Sequence, residues 1–165
     1  QRSINDDQLC DLAEWGLTRG CTVRFLEMMP VGPMADAVQH QLVPASEIVD
    51  RLSNRLTLRS VLAPVGQPAT DYAAMPHSGA AAAGVVGIIA STTRPFCGQC
   101  RRLRITARGE ILSCLFDSTG SSLARAWNGR ELDEGVADRI LQAAVIAKPA
   151  MGPRAQRTQM ISIGG

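Results

Sequence analysis

Apolar residues recur at positions 9, 12, 13 and 17, the spacing of one helix face, so residues 5–17 are expected to form a helix. Asn5 stands where an N-cap would, Gln8 follows three residues on, and Asp6 and Asp7 suit the positive end of a first turn. Gly20 closes the segment, and Thr22 to Met29 reads as a strand stopped by Pro30. Residues 30–45 have loop character, and Ser46 to Leu52 reads as a short helix with Ser46 as its cap. Extended segments are expected near 56–62 and 70–75, with Pro64, Gly66 and Pro68 between them. Val85, Val86, Ile88 and Ile89 make a brief apolar run suited to a buried strand.

That run leads into the loop from Ser91 to Cys100. Leu103 to Ala107 and Glu110 to Leu115 read as a hairpin about Arg108-Gly109, with a cysteine on its second strand. A last helix is expected over 133–147: Asp133 and Glu134 open it, Val136, Ile140, Leu141, Ala144 and Val145 face inward, and Lys148 and Pro149 stop it. The tail 149–165 reads as irregular until Met160 to Ile163, and no internal repeat is visible.

Composition narrows the class. At 165 residues, 45% hydrophobic and 19% charged, the sequence is that of an ordinary globular chain. A net charge of +2 is too small to make nucleic acid or an anionic membrane the default partner. No apolar run approaches the roughly 20 residues that span a bilayer. Basic charge is concentrated, however: Arg94, Arg101, Arg102, Arg104 and Arg108 share a stretch with no acid, which is a local anion-binding signal. Opening on Gln1, the chain reads as a fragment or a trimmed product. Five cysteines, an odd count, argue against a closed disulfide framework and favour a reducing cytoplasm.

Cys97-x2-Cys100 and then Cys114 put two thiols on a tight loop and a third across the hairpin. Zinc and iron–sulfur clusters both use such sets. A closed zinc site wants a fourth ligand, and Cys10, Cys21, His40 and His77 have no characteristic spacing to the three. Cys10 and Cys21 read as buried small apolar groups, and the two histidines as loop residues. An open metal position with Arg102 and Arg104 alternating along the adjacent strand would make a receptor for phosphate. Two other readings stay open: a zinc-ribbon-like binding module with a basic hairpin, and a thiol oxidoreductase using Cys97 and Cys100. Glu27 and Met29, at a strand end, stand where barrel enzymes place site residues.

Three segments carry a family resemblance. Phe96-Cys97-Gly98-Gln99-Cys100-Arg101-Arg102-Leu103-Arg104-Ile105-Thr106, Gly109 and Cys114-Leu115-Phe116 resemble the C-terminal signature of the GTP 3′,8-cyclases. These are radical S-adenosylmethionine enzymes that begin molybdenum cofactor biosynthesis. Arg24-Phe25-Leu26-Glu27-Met28-Met29-Pro30 resembles the family's late barrel strand, and Met160-Ile161-Ser162-Ile163-Gly164-Gly165 resembles its Gly-Gly ending.

The resemblance implies an α/β fold: the C-terminal part of an incomplete TIM-like (βα) barrel, then an iron–sulfur-binding hairpin region and C-terminal helices. Residues 1–90 would be the last βα units, and 91–165 the cluster and GTP-binding region. It implies that Cys97, Cys100 and Cys114 hold a 4Fe–4S cluster whose free iron takes the guanine base, and that Arg102, Leu103 and Arg104 contact GTP. By the same resemblance Met29 contacts S-adenosylmethionine, Gly164 and Gly165 reach the active site, and the complete enzyme is a cytoplasmic homodimeric lyase. Its reaction converts GTP to (8S)-3′,8-cyclo-7,8-dihydroguanosine 5′-triphosphate. Two departures stand out. Arg101 replaces the family's usual Asn, and the N-terminal CxxxCxxC that binds the S-adenosylmethionine-cleaving cluster is absent, so this chain alone is expected to be inactive.

Overall fold

The computed structural model describes residues 1–62, 64–79 and 83–149, without the side chains of Pro33 and Met34. The chain divides into two compact units, Gln1–Met29 with Ala37–Phe96, and Pro30–Asp36 with Cys97–Gly165.

The first unit is a mixed sheet with helices packed on it. Helix α1 spans Leu9–Thr18 and strand β1 Val23–Leu26. The short α2, Val38–Gln41, lies in what reads as loop in the sequence, as does the 3-10 turn Gly32–Ala37, which falls in the second unit but for Ala37. Helix α3 is Ala45–Ser53, and β2, β3 and β4 are Leu56–Ser60, Thr70–Pro76 and Gly84–Ile89. The sheet order is β1-β4-β3-β2. β1 and β4 are parallel in register Val23↔Val86 to Leu26↔Ile89, and the crossover between them carries α3. β2, β3 and β4 are antiparallel neighbours. Their links are shorter than the dozen or so residues a parallel crossover needs, so the chain must turn straight back. A repeated βα barrel is parallel throughout; here only the β1–β4 pair has that form.

The core lies between the sheet and α1 and α3. Leu9, Ala13 and Leu17 of α1 meet Ile48 and Leu52 of α3, Leu56 of β2, Ala74 of β3 and Val86 and Ile88 of β4. Leu12, assigned to the same helix face from spacing, is 42% exposed. Cys21 is exposed and not buried as expected, whereas Cys10 is half-buried and packs against the core. His40 lies in the last turn of α2, not in a loop.

The first helix begins at Leu9 and not near residue 5. Asp6 explains the delay: its carboxylate accepts from the Ser3 N–H at 2.6 Å and from Arg51 at 3.0 Å, which holds residues 2–7 in turns. Asn5 does not cap the helix, and α3 likewise starts after Pro44 with no side-chain cap from Ser46. Arg51 also pairs with Glu47 at 2.6 Å, and Glu47 with Arg2 at 2.6 Å. Burial pushes the Asp6 carboxyl up, but the Ser3 N–H and Arg51 outweigh it and leave it below its usual value. Arg2 and then Arg51 hold Glu47 below its usual value too. A carboxylate whose folded value is depressed stabilises above its unfolded value and loses that contribution as pH falls through it. Between about pH 6 and pH 3, the melting temperature of the wild-type chain is therefore expected to fall more than that of Arg51→Met. Equal falls in the two melting series would contradict this.

The second unit is built on a small antiparallel sheet, β5 (Arg104–Ile105), β6 (Glu110–Leu112) and β7 (Ser121–Ser122), in that order. Helix α4, Glu134–Ile146, packs against it, with Ile111, Leu112, Ala126, Ala137 and Ala144 buried. Asp133 caps α4 by accepting from the Val136 N–H at 2.9 Å. Val145, assigned inward from spacing, is 52% exposed. The β5–β6 turn forms about Arg108-Gly109, where Gly109 has φ +73 and the buried Thr106 hydroxyl accepts from the Arg108 and Glu110 N–H groups.

Candidate metal centre and substrate site

All three clustered cysteines belong to the second unit. Cys97–Gln99 forms a single 3-10 turn, closed by the Cys100 N–H donating to the Cys97 carbonyl at 3.1 Å. The C-x2-C spacing thus becomes a tight turn that carries two half-buried thiols. Cys114 lies two residues past the end of β6, not on the strand. Asp117 fixes it there: its Oδ2 accepts from the Cys114 N–H at 2.8 Å and from the Ser113 hydroxyl at 2.6 Å. That carboxylate bends the chain out of the ladder, so the hairpin's second arm stops at Leu112 and not at Leu115.

Burial pushes the Cys97 thiol up, and Cys114 and Cys100 push it the same way, while Lys148 pulls it down. All five cysteines are free thiols. Among the described residues, no three His, Cys, Asp or Glu side chains are gathered so as to hold a metal ion. The donor set is nonetheless thiol only, and the second unit contains no other cysteine and no histidine. A cluster takes one thiolate per iron, so its cysteines need not converge on one point. Three soft donors therefore fit a cluster with one iron left free.

Arg102 lies before β5, which begins at Arg104, so the alternation of the two along one strand does not extend to Arg102. Arg102 is exposed and Leu103 and Arg104 are half-buried. Among the described residues, the ion pairs use Arg2, Arg24, Arg51 and Arg55, all in the first unit; Arg101, Arg104 and Arg108 make none. No carboxylate among the described residues pairs with them.

In the first unit, Met29 is half-buried just beyond β1. The backbone leading to it is anchored, because the Met28 carbonyl accepts from the Thr92 hydroxyl at 2.8 Å. Glu27 is only 2% exposed. Its Oε1 accepts from the Ala45 N–H at 2.7 Å and from the Thr93 hydroxyl, and its Oε2 from the N–H groups of Thr92 and Thr93 at 2.9 and 2.8 Å. It ties the start of α3 to the loop after β4. Its partners come from elsewhere in the chain, and only the strand-end position hinted at a role. Gly164 and Gly165, with Met160 to Ile163, lie outside the described residues.

A cleft of about 300 Å³ in the first unit is lined by α1 and β1 residues including Leu12, Trp15, Arg24 and Leu26. It holds none of the residues expected to bind cofactor or substrate. No helix among the described residues is long and apolar enough to cross a membrane.

A mixed α/β chain with a thiol-only site and an arginine-bearing hairpin defines an α/β protein with a candidate iron–sulfur centre. Residues 21–152 match the family model for Molybdenum Cofactor Synthesis C, and the chain belongs to that family. It is 37% identical over 150 residues to a GTP 3′,8-cyclase of Corynebacterium glutamicum (strain R), covering 90% of this chain and 40% of that protein. With the GTP 3′,8-cyclase of Synechococcus sp. (strain CC9605) it shares 40% identity over 126 residues, 76% of this chain and 35% of that one. With that of Pelotomaculum thermopropionicum it shares 34% over 178 residues, 99% and 50%. The chain spans half or less of the length of these relatives.

Proposed function

We propose that this chain forms the substrate side of a GTP 3′,8-cyclase acting in molybdenum cofactor synthesis. Cys97, Cys100 and Cys114 would hold a 4Fe–4S cluster; when bound, it supplies a Lewis-acidic free iron for the guanine base. Arg102 and Arg104 neutralise phosphate charge and Leu103 packs beside them, so GTP is oriented by charge and by shape. Met29 contacts S-adenosylmethionine, and Gly164 and Gly165 reach the reacting centre. In this reading residues 1–90 contribute a partial barrel and 91–165 the substrate region, within a cytoplasmic homodimeric lyase.

The observation that supports this is the donor set: three thiols, no further Cys or His in their unit, and Arg101, Arg104 and Arg108 nearby, which pair with no carboxylate among the described residues. The family membership supports the same reading. Reductive cleavage of S-adenosylmethionine is expected only when a polypeptide carrying the CxxxCxxC motif is supplied. Anaerobic purification with metal and sulfide analysis tests the cluster. About four irons with matching sulfide and broad visible absorption are expected. One zinc and no colour would favour the zinc-ribbon reading and overturn this one.

A further inference from the structure

The sequence holds seventeen basic residues, and Lys148 is its only lysine. It stands just past α4, where it reads as no more than a helix stop. A lysine there ordinarily bonds the last carbonyls of its own helix. The Lys148 backbone N–H does donate to the Val145 carbonyl at 3.3 Å, but its side chain goes elsewhere. The ammonium donates to the Arg102 carbonyl, two residues after Cys100, and at 2.9 Å to the Ser113 carbonyl, immediately before Cys114. Its third neighbour is the Cys100 sulfur, at 4.0 Å.

We infer that Lys148 is a positioning residue for the cluster. Its ammonium staples the Cys100 and Cys114 segments to each other and keeps a positive charge beside the Cys100 sulfur. The inference rests on the iron–sulfur reading above. The chemistry suits lysine in particular. An ammonium has three rotatable donors, matching two carbonyls and a sulfur around one point. A guanidinium is a planar fork that meets carboxylates side by side and cannot converge three donors in this way. The staple also acts across the fold: Arg102 and Ser113 lie 46 and 35 residues before Lys148, and α4 holds the lysine at their meeting point. Groups that orient the ligands of a metal site commonly change metal retention about 10- to 100-fold when removed. A fixed positive charge beside the thiolate favours the reduced, more negative form of the cluster, and so raises its potential.

The test compares wild-type, Lys148→Met and Lys148→Arg chains, reconstituted anaerobically with iron and sulfide. Lys148→Met is expected to lose iron to a chelator about tenfold faster or more. Its midpoint potential should shift to a more negative value. Lys148→Arg should recover the potential, by restoring the charge, more fully than the iron retention. Wild-type retention and potential in Lys148→Met would overturn the inference. Reductive methylation of the metal-free wild-type chain gives a second readout that needs no variant to fold. Lys148 should react at least tenfold more slowly in folded than in urea-unfolded chain, with the N-terminal amine as internal reference; equal rates would overturn the staple. If the wild-type chain loads no iron, the functional reading fails, and the methylation result still decides whether the staple exists.

Discussion

Replacing Cys100 or Cys114 with serine is expected to lower cluster iron from about four per chain to less than one, while Cys10→Ser and Cys21→Ser keep the full amount. The asymmetry follows from placement. Cys10 lies on α1 in the first unit, its thiol donating to the Arg51 carbonyl at 3.3 Å, and Cys21 is exposed at the approach to β1. Neither shares the unit that holds Cys97, Cys100 and Cys114. Losing the free iron should also weaken GTP binding about tenfold, a loss of some 1.4 kcal/mol. Iron analysis and equilibrium binding check both parts. Iron loss in Cys10→Ser or Cys21→Ser as large as in Cys100→Ser would show that the thiol assignment is wrong.

The second large effect is structural. Glu27→Ala is expected to destabilise the first unit by about 2–4 kcal/mol, because it strands the buried Ala45 N–H and the part-buried N–H groups of Thr92 and Thr93. A domain's whole stability is commonly about 5–15 kcal/mol, so the loss is a large share. Glu27→Gln should be nearly as damaging. Each oxygen of Glu27 accepts two bonds, and an amide must turn its NH2 toward one of those donor pairs. Urea unfolding of the metal-free chain measures the difference. A Glu27→Gln midpoint equal to wild type would show that the carboxylate is not the tie between α3 and the loop after β4.

What was legible in the sequence was local chemistry. Asp133 announces the start of α4 and bonds the Val136 N–H as an N-cap should, and Gly109 announces the turn whose φ only glycine adopts easily. The apolar run at 85–89 reads as a strand and is β4. What failed was set by individual side-chain bonds and link lengths, which hydrophobic spacing does not report. Asp6 belongs to the helix by spacing, but Arg51 and the Ser3 N–H claim its carboxylate and the helix starts later. Cys114 belongs to the strand by hydrophobic continuity, but Asp117 turns the chain first. The antiparallel returns after β2 and β3 were not legible either, because they are set by link lengths too short for a parallel crossover.

For the candidate site, the cysteine spacing suggests the thiolate centre proposed above, and the arginines after it an anion. Nothing in the sequence marked Lys148, because its role exists only once α4 brings residue 148 beside the backbone of Arg102 and Ser113. Glu27 is similar: its three backbone donors, from Ala45, Thr92 and Thr93, become neighbours only through the parallel β1–β4 pairing and the packing of α3.

The central claim is that the three cysteines leave one iron free for the purine base of GTP. Electron paramagnetic resonance of the reduced, reconstituted chain tests it directly, recorded before and after adding saturating GTP and, separately, CTP. GTP should change the cluster's spectrum in the wild-type chain, and CTP should leave it as it was. A cluster spectrum that stays the same while GTP is bound would contradict the account.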